Sequence, residues 1–198
     1  MSKYKTNTDK PERPHIEHIN ENKVAHMVGV AEWMRERAED YGLNPDVMYA
    51  IGLLHDVGYL QGRVGHEKRG GEILSAIGVD EDIRFAIAHH GENLRALQKE
   101  YGKEFITPEL VLMVEADLSI DTKGYRIGFD KRIEDLKRRY GDKYKAGDTE
   151  DTIAFIKEYR AEHDICEPTK LFHADLHHEF ADGVDYKRFW TERGGERE

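Results

Sequence analysis

Apolar residues recur along this chain at three- and four-residue steps, the spacing of helices with one buried face; no run shows the strict alternation of a strand. Ile19, His26, Val30 and Trp33 share one face of a segment from about Ile16 to Tyr41. Glu32, Arg35, Glu36 and Glu39 cover its other faces, and Gly42 is a natural left-handed stop. Asn44 and Pro45, as N-cap and first-turn residue, restart a helix that runs to about Asp56. Further helices are predicted over 66–77, with Ile73, Leu74 and Ile77 inward, and from Asp80 through Ile83, Phe85 and Ile87 to His89 and His90. A short helix is predicted over 93–101. A strongly apolar one begins at Thr107-Pro108 and carries Asp117, and others cover about 128–140 and about 149–163. No internal repeat is visible. The pattern predicts an all-α fold, a bundle of about seven helices in one domain. Residues 1–14 read as a flexible polar arm punctuated by Pro11 and Pro14, and the tail after Asp164 is polar with a few aromatic residues able to pack.

Composition narrows the functions. The 198 residues are 35% charged and carry a net charge of −10. Such a chain is ill suited to general nucleic-acid binding or to an anionic membrane surface, although a local metal ion can reverse the field at one site. Cys166 is the only cysteine, so no intramolecular disulfide forms. The N-terminus has no signal-like apolar stretch, and no window approaches the ~18 apolar residues of a membrane span. A cytoplasmic protein is expected.

The unusual positions are ionisable residues where the periodicity calls for core. His26 lies on the Val30–Trp33 stripe, His55 follows Met48 and Ile51 at helical steps, and Asp117 follows Leu110, Met113 and Val114. His89 and His90 end another apolar stripe. A lone inward histidine is ordinarily a satisfied core residue, and a lone aspartate a cap or an ion-pair partner. Imidazoles and carboxylates converging from several helices instead make a mixed nitrogen/oxygen ligand set. It suits Mn, Fe, Co, Ni or Zn better than Ca, and no thiolate is at hand for a structural zinc site.

His26, then His55-Asp56, then Asp117 resemble the H…HD…D signature of the HD superfamily of metal-dependent phosphohydrolases. GHEKRGGEIL (65–74) and AIAHHGEN (86–93) are similar to the intervening motifs of its subgroups with a second metal. The resemblance covers about residues 16–126. It implies an HD metal-binding core over 15–126 and a helical extension over 127–198 packed on the same domain. It further implies that His26, His55, Asp56 and Asp117 hold one divalent ion, with Asp56 bridging to a second completed by His66 and by His89, His90 or both. His90 is preferred, because Phe85 and Ile87 need the core face. The implied reaction is hydrolysis, by metal-activated water, of a phosphoester or phosphoanhydride in a small phosphorylated molecule of nucleotide type. Asp56, Lys68 and Arg69 are the candidate catalytic residues, and Lys23, Lys123 and Arg126 the candidate substrate contacts. Asp121 is a candidate to orient a ligand or a water. Family members commonly read HDxGK, whereas this chain has HDVGY, so Tyr59 puts a neutral donor where a cation is expected. The extension matches no motif and is a candidate lid, substrate wall or homodimer surface. His173, His177 and His178 read as unliganded. Two alternatives share the ligand set: a di-iron oxygenase of the same fold, and a nucleotide-binding module without turnover.

Overall fold

Capping residues set where the helices begin. In the computed structural model, which describes residues 19–141, 144 and 147–168, Asn20 accepts the Lys23 N–H and opens α1 (Glu21–Arg37). The predicted start near Ile16 falls outside the described residues, and the predicted end at Tyr41 is a tighter 3₁₀ turn, Ala38–Tyr41, stopped by Gly42. Asn44 caps α2 (Pro45–Leu54) by accepting the amides of Asp46 and Val47. α3 (His66–Ala76), α4 (Glu81–His89) and α5 (Leu94–Tyr101) follow, with Asp80 and Asn93 as caps of the last two. Thr107 caps α6 (Pro108–Ser119), and α7 (Gly128–Tyr140) and α8 (Asp148–Glu162) complete the described helices. Among the described residues the only strand-like pairing is an isolated bridge between Ile120 and Arg126. The fold is all-α. None of the described helices is long and apolar enough to cross a membrane.

α6 is the central rod. Leu110, Val111, Leu112, Met113 and Ala116 are fully buried, each large side chain contributing about 1.5–3 kcal/mol on leaving water. α1 and α4 lie against α6, α2 lies against α1, and α3 lies against α4. Phe155 and Ile156 bring α8 into the same apolar core. Two polar ties add to it. Arg160 on α8 donates to Glu115 on α6 at 3.0 Å, and Tyr41 donates to the same buried carboxylate. Asn93, while capping α5, also donates to the Asp148 carbonyl and the Asp151 carboxylate at the start of α8.

Two close backbone approaches place the polar residues. Gly58, in a 3₁₀ turn Val57–Gln61, lies so near α3 that a Cβ would stand 1.8 Å from the His66 carbonyl oxygen. Glycine at this position is what permits the contact. Gly124 (φ +83°) and Gly29 bring the turn after α6 onto α1, each within 2.6 Å of a carbonyl oxygen across the contact, measured from where a Cβ would stand. The expectations for residues 1–14 and for His173, His177 and His178 lie outside the described residues.

Candidate metal centre

α2 ends at Leu54, one residue before His55, and Asp56 leaves helical geometry (φ −100°, ψ 14°). The helix end therefore presents two adjacent side chains to one space. His55 is fully buried and Asp56 nearly so. Its imidazole Nδ1–H donates to the Gly52 carbonyl at 2.7 Å. His90, at the C-cap of α4, donates in the same way to the Ile87 carbonyl at 2.7 Å, and His66 to the Arg63 carbonyl at 3.2 Å. His26, in the middle of α1, donates Nδ1–H to the Asp121 carbonyl at 2.9 Å. With each Nδ1 facing a carbonyl, which only accepts, these four rings are the Nδ1–H tautomer when neutral, and each Nε2 is a lone pair.

Those lone pairs point at carboxylates. His26 Nε2 lies 2.9 Å from Asp117 Oδ1, and His66 Nε2 lies 2.9 Å from Asp56 Oδ1. His55 Nε2 is 3.2 Å from Asp56 Oδ2, and His90 Nε2 is 3.8 Å from Asp56 Oδ1. Nitrogen and oxygen acceptors thus face one another in a buried space, and the neutral His55 Nε2 meets a carboxylate oxygen but no donor. Only a proton or a cation relieves that arrangement. The ligand atoms fall into two sets of mutual distance within 4.8 Å: His26, His55 and Asp117, and His55, Asp56 and His90. His55 belongs to both. A divalent transition metal fits this donor chemistry.

Burial opposes charge throughout the cluster, and mutual attraction overrides it at three groups. Burial presses the His55 imidazolium downward, but the charges of Asp56 and then Asp117 raise its pKa above the ordinary value. Burial likewise opposes the Asp56 and Asp117 carboxylates, yet the former is held far below its usual range by His55, His66 and His90, and the latter by His26 and Arg132. His90 goes the other way, lowered by burial and by the His55 charge. Tyr59 is raised by burial and by Asp56, which keeps the phenol protonated as a donor.

The cluster forms the floor of a cavity of about 590 Å³. Its walls include Lys23, Tyr59, Arg63, Arg132, Arg139 and Tyr140. Lys23 Nζ lies 2.6 Å from Asp56 Oδ2 and 4.2 Å from the centre of the Tyr59 ring. Arg132 Nη2 lies 3.5 Å from Asp117 Oδ1.

Several expected site residues are elsewhere. His89 turns from the cluster, bonding Glu92 at 3.0 Å and packing on Phe85 and Tyr101, because neighbours on a helix point about 100° apart. Lys68, Arg69, Lys123 and Arg126 do not line the cavity. Lys68 is exposed on α3, and Arg69 is folded against Gly62. Lys123 is exposed in the turn after α6, and Arg126 pairs with Glu36 over the Trp33 ring. The Asp121 carboxylate caps its own turn through the Lys123 and Tyr125 amides, and only its carbonyl reaches His26. Arg63, Arg132, Arg139 and Tyr140 line the cavity and are not among the residues the sequence points to. For Arg132 a signal existed: it sits on the Phe129–Leu136 face of α7, a charge on an apolar stripe like those of His26 and Asp117.

Comparison with known proteins agrees with the motif reading. The family described as HD domain matches residues 24–119. Ribonuclease Y of Fervidobacterium nodosum is 36% identical over 101 residues, which is 49% of this chain and 18% of that protein. The Thermotoga maritima ribonuclease Y is 35% identical over 103 residues, again 49% of this chain and 18% of the relative. That of Fusobacterium nucleatum is 30% identical over 126 residues, 59% of this chain and 23% of the relative. The chain thus spans about a fifth of the length of the curated relatives it matches. No solved structure matches it.

Proposed function

Because residues 24–119 match the HD-domain family, we propose that the chain is a metal-dependent phosphohydrolase acting on a small phosphorylated molecule of nucleotide type. The family is one of metal-dependent phosphohydrolases; the small substrate is our reading. One observation carries the assignment. Four histidines, their tautomers set by carbonyls, aim Nε2 lone pairs at two ionised carboxylates, and one of those lone pairs is buried without a donor.

In this reading His26, His55, Asp56, Asp117, His66 and His90 would hold one or two divalent ions, His55 giving its one Nε2 lone pair to either. When bound, such ions lower the pKa of water toward about 7 and neutralise charge on phosphoryl oxygens. The chain's own residues do the rest. The Nδ1–H bonds stop the rings from turning, so the donor set is in place before a ligand arrives. Lys23 supplies the cation missing from HDVGY, reaching from α1 over the Tyr59 ring to the same carboxylate. The Tyr59 phenol remains a neutral donor beside it. Walls from α7 and α8 enclose a space suited to one nucleotide-sized molecule, and a net charge of −10 offers no general surface for tracking a polyphosphate backbone.

The test is metal analysis of the purified protein, then a hydrolysis screen read by chromatography of the products, over nucleoside mono-, di- and triphosphates, dinucleotides and a short RNA. Asp56→Ala is expected to lose both metal and turnover. Full activity in that variant would overturn the metal-site assignment. The relatives are named ribonucleases, so RNA is the specific rival; cleavage of the RNA faster than any small substrate would replace the nucleotide reading with theirs.

A further inference from the structure

α7 lies beyond the family match, yet it lends the cavity a buried cation. Arg132 is 6% exposed, on the face of α7 shared by Phe129 and Leu136. Its Nε and Nη1 have no hydrogen-bond partner. Its separation of 3.5 Å from Asp117 is longer than a good charge-assisted bond. Asp135, 3.9 Å from Nη1, is already engaged by Arg138 at 2.6 Å and Arg139 at 2.8 Å. A guanidinium removed from water with donors unspent is the kind of group an anionic ligand satisfies.

Its placement says which anion. Lys23 stands against Asp56 and Arg132 against Asp117, so each of the two carboxylates in the one cavity has a cation beside it. We propose that Arg132 grips the terminal phosphate of the substrate, so that α7, rather than the HD domain itself, gives the site its preference for a phosphomonoester or terminal phosphate over a diester. The inference rests on the phosphohydrolase reading above. A terminal phosphate carries a second charge and a third free oxygen that a diester lacks. With ions bound, Lys23 and Arg132 leave surplus positive charge for which the dianion is the better match. Arg139, seven residues on and on the same face, lines the same cavity.

The experiment titrates inorganic phosphate, and separately dimethyl phosphate, into the Mn²⁺-loaded protein by calorimetry, with manganese content and melting temperature measured alongside. Arg132→Gln is expected to weaken phosphate binding roughly tenfold or more, the loss of one charge-assisted contact, and to leave dimethyl phosphate binding and manganese content unchanged. Arg132→Lys, which keeps the charge but not the planar fork, is expected to recover part of the affinity and to serve as the test if the glutamine variant fails to fold. Steady-state KM for a phosphomonoester is expected to rise more than kcat falls. Unchanged phosphate affinity in either variant overturns the proposal. So does manganese lost in step with affinity, because Arg132 then serves only to position Asp117. A wild-type protein that takes up no metal instead refutes the phosphohydrolase reading, and with it this inference.

Discussion

Gly58→Ala tests whether the approach of the HD turn to α3 builds the site. The added Cβ would lie 1.8 Å from the His66 carbonyl oxygen and 2.7 Å from the Gly70 nitrogen. Both are backbone atoms of α3, so no side chain can rotate aside. Restoring ordinary contact requires the turn and α3 to separate by roughly 1.4 Å, since carbon and oxygen are comfortable near ~3.2 Å. Two effects compete. Alanine lowers the entropy of the unfolded chain, worth up to about 1 kcal/mol. Overpacking costs about 1–3 kcal/mol, and here it meets main chain on both sides, so destabilisation wins. At roughly 2–4 °C per kcal/mol for a chain of this size, the melting temperature falls by up to about 10 °C. The same displacement opens the 2.9 Å approach of His66 to Asp56, and a misplacement of about 1 Å costs on the order of 10²-fold in rate. The assay is a thermal melt with and without chelator, metal analysis, and phosphate release. Gly42→Ala is the control: Gly42 needs φ +71° but has nothing within 4 Å of its Cβ position, so stability alone is expected to drop. A Gly58→Ala protein that melts with the wild type and keeps its metal and activity refutes the reasoning.

Metal and pH effects follow from the same geometry. Chelator is expected to lower the melting temperature, because an ion at 100 times its Kd stabilises by about 2.7 kcal/mol; a melt indifferent to chelator removes the metal from the fold. In the metal-free protein the raised pKa of His55 gives stability that is complete below the ordinary value of 6.5 and is lost as pH rises through the raised value. His90, lowered, acts only below 6.5, so metal-free melts should decline from pH 6.5 upward while metal-loaded ones, which need neutral imidazoles, improve. Asp56 and Asp117, both lowered, give stability present above about pH 4 and lost as pH falls through their depressed values; acid titration of the metal-free protein checks this. Arg160→Met strands the buried Glu115 and is expected to cost about 3–5 kcal/mol in urea unfolding; a cost under ~1 kcal/mol would mean that water reaches that carboxylate.

Most helix boundaries were legible because capping chemistry is local. Asn44, Asp80 and Thr107 each accept an amide of the first turn they open, and Gly42 closes the turn before. The convergence of His26, His55 and Asp117 was legible for a related reason: a polar side chain on an apolar stripe has nowhere to go but inward. The cationic wall was not. Lys68 and Arg69 lie near His66 in sequence, and Lys123 and Arg126 near Asp117, but successive residues on a helix or turn diverge. The cations that reach the cavity come from α1, from the loop before α3 and from α7, contacts set by tertiary packing. Arg132 obeyed the very rule that exposed Asp117, but it lies beyond the motifs, where the chain offered no reason to apply it.

The way the histidines are held explains why they sit at helix ends. The last carbonyls of a helix have no partner in the next turn. His55 and His90, at the C-caps of α2 and α4, each donate Nδ1–H to the carbonyl three residues back, Gly52 and Ile87, and His66 does the same to Arg63 just before α3. At His55 and His90 one local bond therefore satisfies an orphan carbonyl as well as selecting the tautomer; at His66 it selects the tautomer alone. His26 cannot use this device, because the carbonyls around it belong to the interior of α1. It borrows the Asp121 carbonyl instead, and that carbonyl is in reach only because Gly29 and Gly124 let the turn after α6 lie against α1. A side chain at either glycine would thus unfasten His26 without touching it, and His26, not the three helix-end histidines, is the candidate ligand most exposed to changes in packing.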